Sequence, residues 1–381
     1  MNNRYVGILV DAALYDRIPS GNTFHESLSS YEEAGRHYGV TPCYLRLKDV
    51  KPGQTTVWAY VKTDKGYKRR RIPAPAVFHN RALYFTKGPR RAIERLVRDG
   101  KQIFNEWNRY GKMLVHELLT QDPAILPHLP FTRKATPENV KRMMQMFSSL
   151  VLKPDSGSIG KGIMKLEKRE DEWTLDFPAA RSGFRRKTIT FSGSLPGLLI
   201  RRLRDRPYLV QQRIALATYR GNPFDLRVSV QRNETGGWQV TGMAAKVAKE
   251  RLFLTNVAQG ATVHTLEQVL EDHPHLSPER VRLDVSDLAL RVAERLSDSL
   301  PHMADLGLDI GVTASGFPMF IECNGRDLRY VFREGNMLDI FRNVYLNPIG
   351  YAKYLLDEAA TKKLRSLTPQ PLDVEKRGEE Q

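Results

Sequence analysis

The chain has 381 residues, more than a single hydrophobic core usually accommodates, so we expect two or three domains. Its 41% hydrophobic and 27% charged residues are typical of a globular protein and exclude a fibre or a largely disordered chain. Lysine and arginine number 59 against 43 aspartate and glutamate. The net charge of +16 indicates an anionic partner: a nucleotide, an acidic polymer, a nucleic acid or a phospholipid surface.

Cysteine usage and the lengths of the apolar runs indicate a protein of a reducing compartment. The two cysteines, Cys43 and Cys323, exclude a disulfide framework and a zinc site built on cysteine. The first apolar run, Val6–Val10, stops at Asp11, and no apolar stretch approaches the roughly 18 residues of a spanning helix. We therefore expect a cytoplasmic protein without a secretory signal or a membrane span.

The first third of the chain alternates strand and helix patterns. Val6–Val10 is continuously apolar, which is typical of a strand buried on both faces. In chain order the predicted elements are a strand at 6–10, a helix at 26–38, a strand at 40–47, a hairpin at 60–71, a strand at 77–81 and helices at 89–99 and 109–120. This alternation predicts an α/β domain at the N-terminus.

The remainder of the chain predicts further strands, grouped in hairpins, together with a few helices. The predicted helices lie at 136–150, 286–300 and 348–360, and the predicted strands at 149–153, 163–167, 208–214, 226–231, 238–247, 309–313 and 318–323. The polar, charged tail from Leu364 onward is expected to be disordered.

A glycine-rich loop, Asp155–Gly162, joins two of the predicted strands and can present several backbone N–H groups at once, which suits phosphate oxygens. It is not a Walker A loop, because Gly162 stands where Ser or Thr is required, and it is not a Rossmann loop, because no helix follows it. The loop predicts a flexible flap over a triphosphate. An ordinary glycine turn between strands is the alternative.

Three oxygen-bearing side chains, Asp309, Glu322 and Asn324, fall on two predicted strands joined by a short turn. Glu322 and Asn324 are two residues apart, so their side chains lie on one face of their strand. Two carboxylates and an amide oxygen form a site suited to Mg²⁺, with nucleotide phosphates completing its coordination. The alternative is a surface hairpin, which the apolar neighbours Phe320 and Ile321 disfavour.

Four cations accompany these features. Lys153 ends a strand directly before the glycine loop, and Lys112 is a second candidate for the same phosphates. Arg227 and Lys246 lie on a predicted hairpin and are our candidates for stabilising the charge that develops in phosphoryl transfer. Each of them is also compatible with an ordinary solvated surface charge.

Taken in this order, the motifs resemble the ATP-grasp superfamily over roughly residues 110–358. The stretches that carry the likeness are Lys153–Ile163, Tyr208–Ile214 and Asp309–Asn324. Within the superfamily, the chain is similar to the YheC/YheD family, named for association with the endospore coat. That likeness rests on Tyr5–Val10, Pro73–Arg81, Asn105–Lys112 and Phe224–Arg227.

The resemblance implies an α/β and α+β fold: an N-terminal pre-ATP-grasp α/β domain at 1–108, then a two-lobed ATP-grasp domain at 109–360. Its small lobe would span about 135–212 and its large lobe about 213–360, with a disordered tail at 364–381. It also implies residue roles. Lys112 and Lys153 would contact ATP phosphates, and Asp309, Glu322 and Asn324 would hold Mg²⁺. The phosphate cover would comprise Ser156, Gly157, Ser158, Gly160 and Gly162, and the adenine contacts Gln211, Gln212 and Ile214.

The activity implied is an ATP-dependent carboxylate–amine ligase that forms an acyl phosphate and acts on an amino acid or an acidic peptide or polymer. A basic segment, residues 181–206, has eight lysines and arginines and one acid; it either recruits such a polymer or is a solvated face. The alternative function is a non-catalytic, ATP-binding structural protein of the spore. Nucleic-acid binding is disfavoured, because aromatic residues do not interleave with the basic segment.

Overall fold

A computed structural model describes residues 4–157, 160–179, 186–249, 255, 257 and 260–367. Within these residues three β-sheets organise the chain, and no helix combines the length and the apolar character that crossing a bilayer needs. Short 3₁₀ turns occur at Ile18–Ser20, Leu47–Asp49 and Leu126–His128. Some predicted features lie outside the described residues: Ser158, Arg181, Arg185 and the tail beyond Leu367.

The first sheet is parallel at its centre, where helices connect its strands. Strands β1–β6 are Tyr5–Leu9, Thr41–Leu45, Thr56–Thr63, Gly66–Pro73, Val77–Asn80 and Gln102–Phe104. Their order is β4-β3-β2-β1-β5-β6, with β1 parallel to β2 and β5, and β5 parallel to β6. Helices α1–α3 are Ala12–Tyr15, Leu28–Tyr38 and Lys87–Arg98. The predicted N-terminal α/β sheet is confirmed.

The apolar run at the start of the chain becomes the central strand β1, and both of its faces are buried. Val6 and Ile8 pack in a core with Tyr31 of α2. Leu9 points to the opposite face and packs in a second core with Ile93 of α3. Side chains alternate along a strand, so one apolar run supplies both cores.

The second sheet is antiparallel throughout. Its strands β7–β12 are Thr132–Lys134, Ser149–Pro154, Met164–Arg169, Glu172–Pro178, Arg186–Phe191 and Tyr208–Gln212, in the order β11-β10-β9-β8-β12-β7. Helices α4–α6 are Lys112–Leu119, Pro137–Met146 and Gly197–Asp205. Helix α6 lies inside the basic segment 181–206 and was not predicted from the sequence. This short helix is held by the burial of Leu199 in the core of this sheet.

The third sheet is also antiparallel and carries the predicted metal ligands. Strands β13–β18 are Thr218–Tyr219, Asn222–Arg232, Trp238–Val247, Thr262–His264, Asp305–Val312 and Pro318–Asn324. The order is β16-β15-β14-β17-β18, and β13 pairs with β14. Helices α7–α10 are Leu266–Leu270, Pro278–Ser299, Tyr330–Glu334 and Leu338–Leu367. Helix α8 covers one face of the sheet with an apolar stripe that includes Val285, Leu288, Val292 and Leu296.

Helix α10 joins the first sheet to the third. It packs on α2 from one side and on β14 and β15 from the other, and the ring of Tyr345 lies 4.9 Å from that of Tyr31. The helix spans Leu338–Leu367 and is therefore much longer than the predicted 348–360. Its end lies past Leu364, the predicted start of the disordered tail. The domain boundaries proposed from the sequence stay predictions.

Candidate functional site

Two cavities lie where the three sheets approach one another. The inter-sheet cavity, of about 560 Å³, is lined by residues of the second and third sheets. The loop cavity, of about 500 Å³, is lined by the loops after β5, before α4 and after β18. Both cavities are lined by Lys153, Gln211, Ile321 and Glu322. They therefore meet along one shared wall.

Most of the predicted site residues line one cavity or the other. The inter-sheet cavity has Lys153, Gly160, Gln211, Gln212, Ile214, Lys246, Asp309 and Glu322. The loop cavity adds Lys112, Ser156, Gly157 and Asn324. Of the predicted site residues that the structure describes, Gly162 and Arg227 line neither cavity. The fold thus brings distant parts of the chain together, while the roles assigned to them stay predictions.

The glycine loop connects β8 to β9 and turns at two glycines with positive φ. Gly160 has a φ of +66° and Gly162 a φ of +81°, values that side chains strongly disfavour. A Cβ atom at residue 162 would also lie only 2.0 Å from Nη2 of Arg206. These glycines are therefore required by the path of the loop, whatever it binds.

Asp155, at the start of this loop, fastens it to helix α4. Its carboxylate Oδ1 accepts a hydrogen bond from the N–H of Met113 at 2.8 Å, and its carbonyl accepts one from the N–H of Lys112 at 3.1 Å. The Lys112 ammonium reaches back and donates to the carbonyl of Gly157 at 3.3 Å. This role of Asp155 was not predicted from the sequence, although its position between the strand and the glycines was a signal for it.

The predicted carboxylates face each other across neighbouring strands. Asp309 of β17 pairs in register with Glu322 of β18, whereas Ile310 pairs with Phe320, so Ile321 is the extra residue of a β-bulge. Bulges of this kind redirect side chains beside functional sites. Glu322 forms an ion pair with the Lys112 ammonium at 3.0 Å.

Asp309 is held by two cations. Nε of Arg227 donates to Oδ1 at 2.9 Å and Nη2 to Oδ2 at 3.3 Å, while the Lys246 ammonium donates to Oδ1 at 2.9 Å. Burial alone would raise the pKa of Asp309, but Arg227 and Lys246 more than offset it and keep that pKa well below its usual range. The carboxylate therefore remains ionised.

Lys246 also contacts a second carboxylate, Asp225, which was not among the predicted site residues. The two groups are 3.0 Å apart, and the hydroxyl of Thr255 also donates to Asp225. Burial raises the pKa of Asp225 to about 6, against the attraction of Lys246. Asp225 lines the inter-sheet cavity and belongs to the Phe224–Arg227 motif, which was the signal for it.

Lys153 and Gln211 lie on the same face of the second sheet. Lys153 pairs with Leu209 and Val151 with Gln211 across β8 and β12, so these residues share the face that borders both cavities. Burial lowers the pKa of the Lys153 ammonium to about 8, with Glu322 opposing the shift and Lys112 adding to it. Lys153 is thus a cation that titrates just above neutral pH.

The donor set of Asp309, Glu322 and Asn324 fits Mg²⁺, because every donor is an oxygen. Glu322 lines both cavities, Asp309 the inter-sheet cavity and Asn324 the loop cavity. In the described part of the chain no three His, Cys, Asp or Glu side chains cluster as metal ligands. Because Mg²⁺ prefers six oxygen ligands, two carboxylates and one amide would leave coordination positions of the ion for other oxygens.

Some arginines in the described part of the basic segment 181–206 bond to residues of the second sheet. Arg186 pairs with Asp176 at 2.8 Å, and Arg202 donates to the carbonyl of Pro178 at 2.9 Å. Lys187 and Arg204 are exposed. Recruitment of an acidic polymer by this segment stays a prediction.

The loops around the loop cavity touch through their backbones. An ideal Cβ atom at Gly325 would lie 2.8 Å from Cα of Asn108. Nearby, buried Asn105 adopts a φ of +54° and donates to the carbonyls of Asp305 and Gly325, each at 2.6 Å. Its Oδ1 accepts from the N–H groups of Ala304 and Asp305, each at 3.0 Å. The segment before α4 is therefore fixed to β17 and to the end of β18.

The chain is similar to curated proteins and to solved structures. The chain is 26% identical to the endospore coat-associated protein YheD of Bacillus subtilis (strain 168), covering 89% of this chain and 75% of YheD. It is 22% identical to YheC of the same organism, covering 89% of this chain and 95% of YheC. D-alanyl-alanine synthetase A from Vibrio cholerae has a similar fold, with a TM-score of 0.50 at 12% identity, covering 96% of this chain and 99% of the synthetase.

The model of the YheC/D-like ATP-grasp family matches residues 100–355. This range contains both cavities' shared wall, the glycine loop and the three oxygen-bearing side chains of β17 and β18. The fold expected from the sequence, an N-terminal α/β domain followed by an ATP-grasp fold, is confirmed. The chain belongs to the YheC/D-like ATP-grasp family.

Proposed function

We propose that the chain is an ATP- and Mg²⁺-dependent carboxylate–amine ligase that works through an acyl phosphate. The observation that carries this proposal is that the inter-sheet cavity and the loop cavity share Lys153 and Glu322. A nucleotide in the first cavity and a substrate carboxylate in the second would have their reacting groups beside the same ammonium and carboxylate. Phosphoryl transfer between two bound molecules requires such an arrangement.

Asp309, Glu322 and Asn324 would hold Mg²⁺, which when bound neutralises phosphate oxygens. Lys112 and Lys153 would contact the phosphates, and the glycine loop would cover them and exclude water, which otherwise hydrolyses an acyl phosphate. The adenine would lie against Gln211, Gln212 and Ile214. Lys246 lines the inter-sheet cavity and would offset phosphate charge directly, whereas Arg227 would act by holding Asp309.

In the reaction, an oxygen of the substrate carboxylate attacks the γ-phosphorus and the bond to ADP breaks. An amine nitrogen then attacks the acyl carbon, loses a proton and displaces phosphate, which leaves an amide. The synthetase whose fold is similar supports an ATP-dependent ligase in general terms. We also propose that the protein is cytoplasmic, and the names of YheD and YheC lead us to propose that it is associated with the spore.

This function is tested by incubating the protein with Mg-ATP and a panel of amino acids and acidic peptides, with ADP release and product mass as readouts. We expect ADP release that depends on substrate, and a product whose mass is the sum of two substrates less one water. Nucleotide binding without turnover across the panel would favour instead a non-catalytic structural protein of the spore coat.

The pKa of Lys153 predicts how nucleotide affinity depends on pH. Below about pH 8 the ammonium is charged and attracts phosphate; above it the charge is lost, so affinity for ATP should fall by up to about tenfold per pH unit. Binding is measured by calorimetry from about pH 7 to about pH 9. Lys153→Met should flatten this profile, and Lys187→Met, at an exposed lysine of β11, should keep it. An equally steep profile in Lys153→Met would contradict the assignment.

A further inference from the structure

The loop cavity has a far end that the inter-sheet cavity does not reach. Tyr84 and Phe85 line it from the loop after β5, Trp107 and Arg109 from the loop before α4, and Arg326 from the loop after β18. None of these five lines the inter-sheet cavity. The cavity therefore runs from the shared wall at Lys153 and Glu322 to a separate group of aromatic and cationic side chains.

Arg326, at this far end, has unused hydrogen-bonding capacity. Its side chain is 21% exposed, it donates to the carbonyl of Arg81 at 3.3 Å, and its nearest carboxylate, Asp11, is 3.9 Å away. Asp11 already caps helix α1 by accepting from the N–H of Leu14 at 3.0 Å. Arg329, three residues further on, instead donates to Asp305 at 2.6 Å and to the hydroxyl of Tyr31 at 3.0 Å. A guanidinium with five donors is thus only partly used beside a cavity.

Two tyrosine hydroxyls give an independent sign of a ligand. The oxygens of Tyr84 and Tyr110 are buried and have no hydrogen-bond partner among the described residues, and both side chains line the loop cavity. Buried hydroxyls of folded proteins are nearly always paired, so each such group needs an explanation. A bound molecule with acceptor oxygens would satisfy them.

The charges that line the loop cavity favour an anion. Arg109, Lys112, Lys153 and Arg326 face it, against the single carboxylate of Glu322, which Lys112 already pairs at 3.0 Å. Cations stand at both ends, Lys112 and Lys153 at the shared wall and Arg326 at the far end. The far end also has aromatic rings, including Phe85, whose ring centroid lies 4.3 Å from the guanidinium carbon of Arg109. A volume of about 500 Å³ suits a small molecule or a short peptide.

We propose that the far end of the loop cavity binds a second carboxylate of the substrate, one that does not react, through Arg326 and the hydroxyl of Tyr84. The substrate is then a dicarboxylate of amino-acid or short-peptide size, with its reacting carboxylate at the shared wall; that last part rests on the proposed function. Arginine pairs with a carboxylate through two parallel hydrogen bonds, and a tyrosine hydroxyl donates one further hydrogen bond to a remaining lone pair.

The test uses the full chain without nucleotide and a mixture of dipeptides that each contain one aspartate or glutamate, present both as the free C-terminal carboxylate (two carboxylates) and as the C-terminal amide (one carboxylate). Retained molecules are identified by mass spectrometry after rapid gel filtration. We expect retention of the carboxylate forms over the amides by about tenfold or more, which corresponds to one charge-assisted pair. Arg326→Leu should abolish this preference, and Tyr84→Phe, which removes a single oxygen, should reduce it. Arg70→Leu, at an exposed arginine of β4, should leave it unchanged.

Retention of no dipeptide, equal retention of the two forms, or an unchanged preference in Arg326→Leu would overturn the proposal. If Arg326→Leu does not fold, Tyr84→Phe takes its place, because this substitution changes no charge and little volume. An unchanged preference for the carboxylate forms in Tyr84→Phe would then overturn the proposal. Since the experiment contains no ATP, its outcome is separate from that of the ligase assay. A carboxylate preference together with no ADP release would refute the proposed function and retain this site.

Discussion

Glu322→Gln is expected to lower substrate-dependent ADP release by at least about 100-fold, because several kcal/mol of transition-state stabilisation depend on the metal it would hold. Among the described residues, Glu322 is the only carboxylate that lines both cavities, and it is the register partner of Asp309. Glutamine keeps the size of the side chain and one acceptor oxygen but removes the charge. The rate is measured by a coupled ADP assay at saturating Mg-ATP with a substrate from the panel.

The matched control is Glu172→Gln, at an exposed glutamate of β10, which should turn over at the wild-type rate. Raising Mg²⁺ should recover part of the activity of Glu322→Gln, since two of the three proposed ligands remain. Turnover within about threefold of wild type in Glu322→Gln would remove this residue from the metal site.

Arg329→Met is expected to lower the free energy of unfolding by about 3 kcal/mol. The Arg329 side chain is fully buried, donates to Asp305 at 2.6 Å and lies 4.5 Å from the ring centroid of Tyr345. Burial alone would raise the pKa of Asp305, but Arg329 and neighbouring groups keep it well below the usual range. Methionine fills much of the volume but leaves the buried carboxylate short of one cation. Urea unfolding followed by circular dichroism measures the change.

Arg333→Met is the control for Arg329→Met, because Arg333 is exposed on the same helix turn and forms no buried ion pair in the described structure. Its cost should stay within about 0.5 kcal/mol. A loss of less than about 1 kcal/mol in Arg329→Met, the range of a surface ion pair, would mean that the buried pair of Arg329 and Asp305 is not important for the stability of the fold.

Features with local signals were predicted well from the sequence. The run Val6–Val10 predicted a strand buried on both faces, and it forms β1. Asp309 and Glu322 were expected on neighbouring strands because a short turn separates their segments, and they are register partners in β17 and β18. In both cases the signal lies within a few residues of the element it predicts.

Features that depend on distant contacts were not predicted. The bulge at Ile321 is a matter of register, which spacing alone does not report. The carboxylate of Asp309 forms ion pairs with Arg227 and Lys246. These cations reach it because β14 pairs with both β15 and β17, a pairing of distant segments. Helix α6 has a short apolar face in a basic stretch, so only its packing on the second sheet identifies it.

The backbone contact between Gly325 and Asn108 holds the loops around the loop cavity together as one rigid unit. Asn105 bonds to both β17 and the residue that follows β18, so a shift at either strand is transmitted to the loop that carries Trp107 and Arg109. The N-terminal sheet is consequently not an exchangeable module. A chimera that takes this sheet from a relative would keep the cavity's shape only if the crossover left residues 105–108 with the strands they contact.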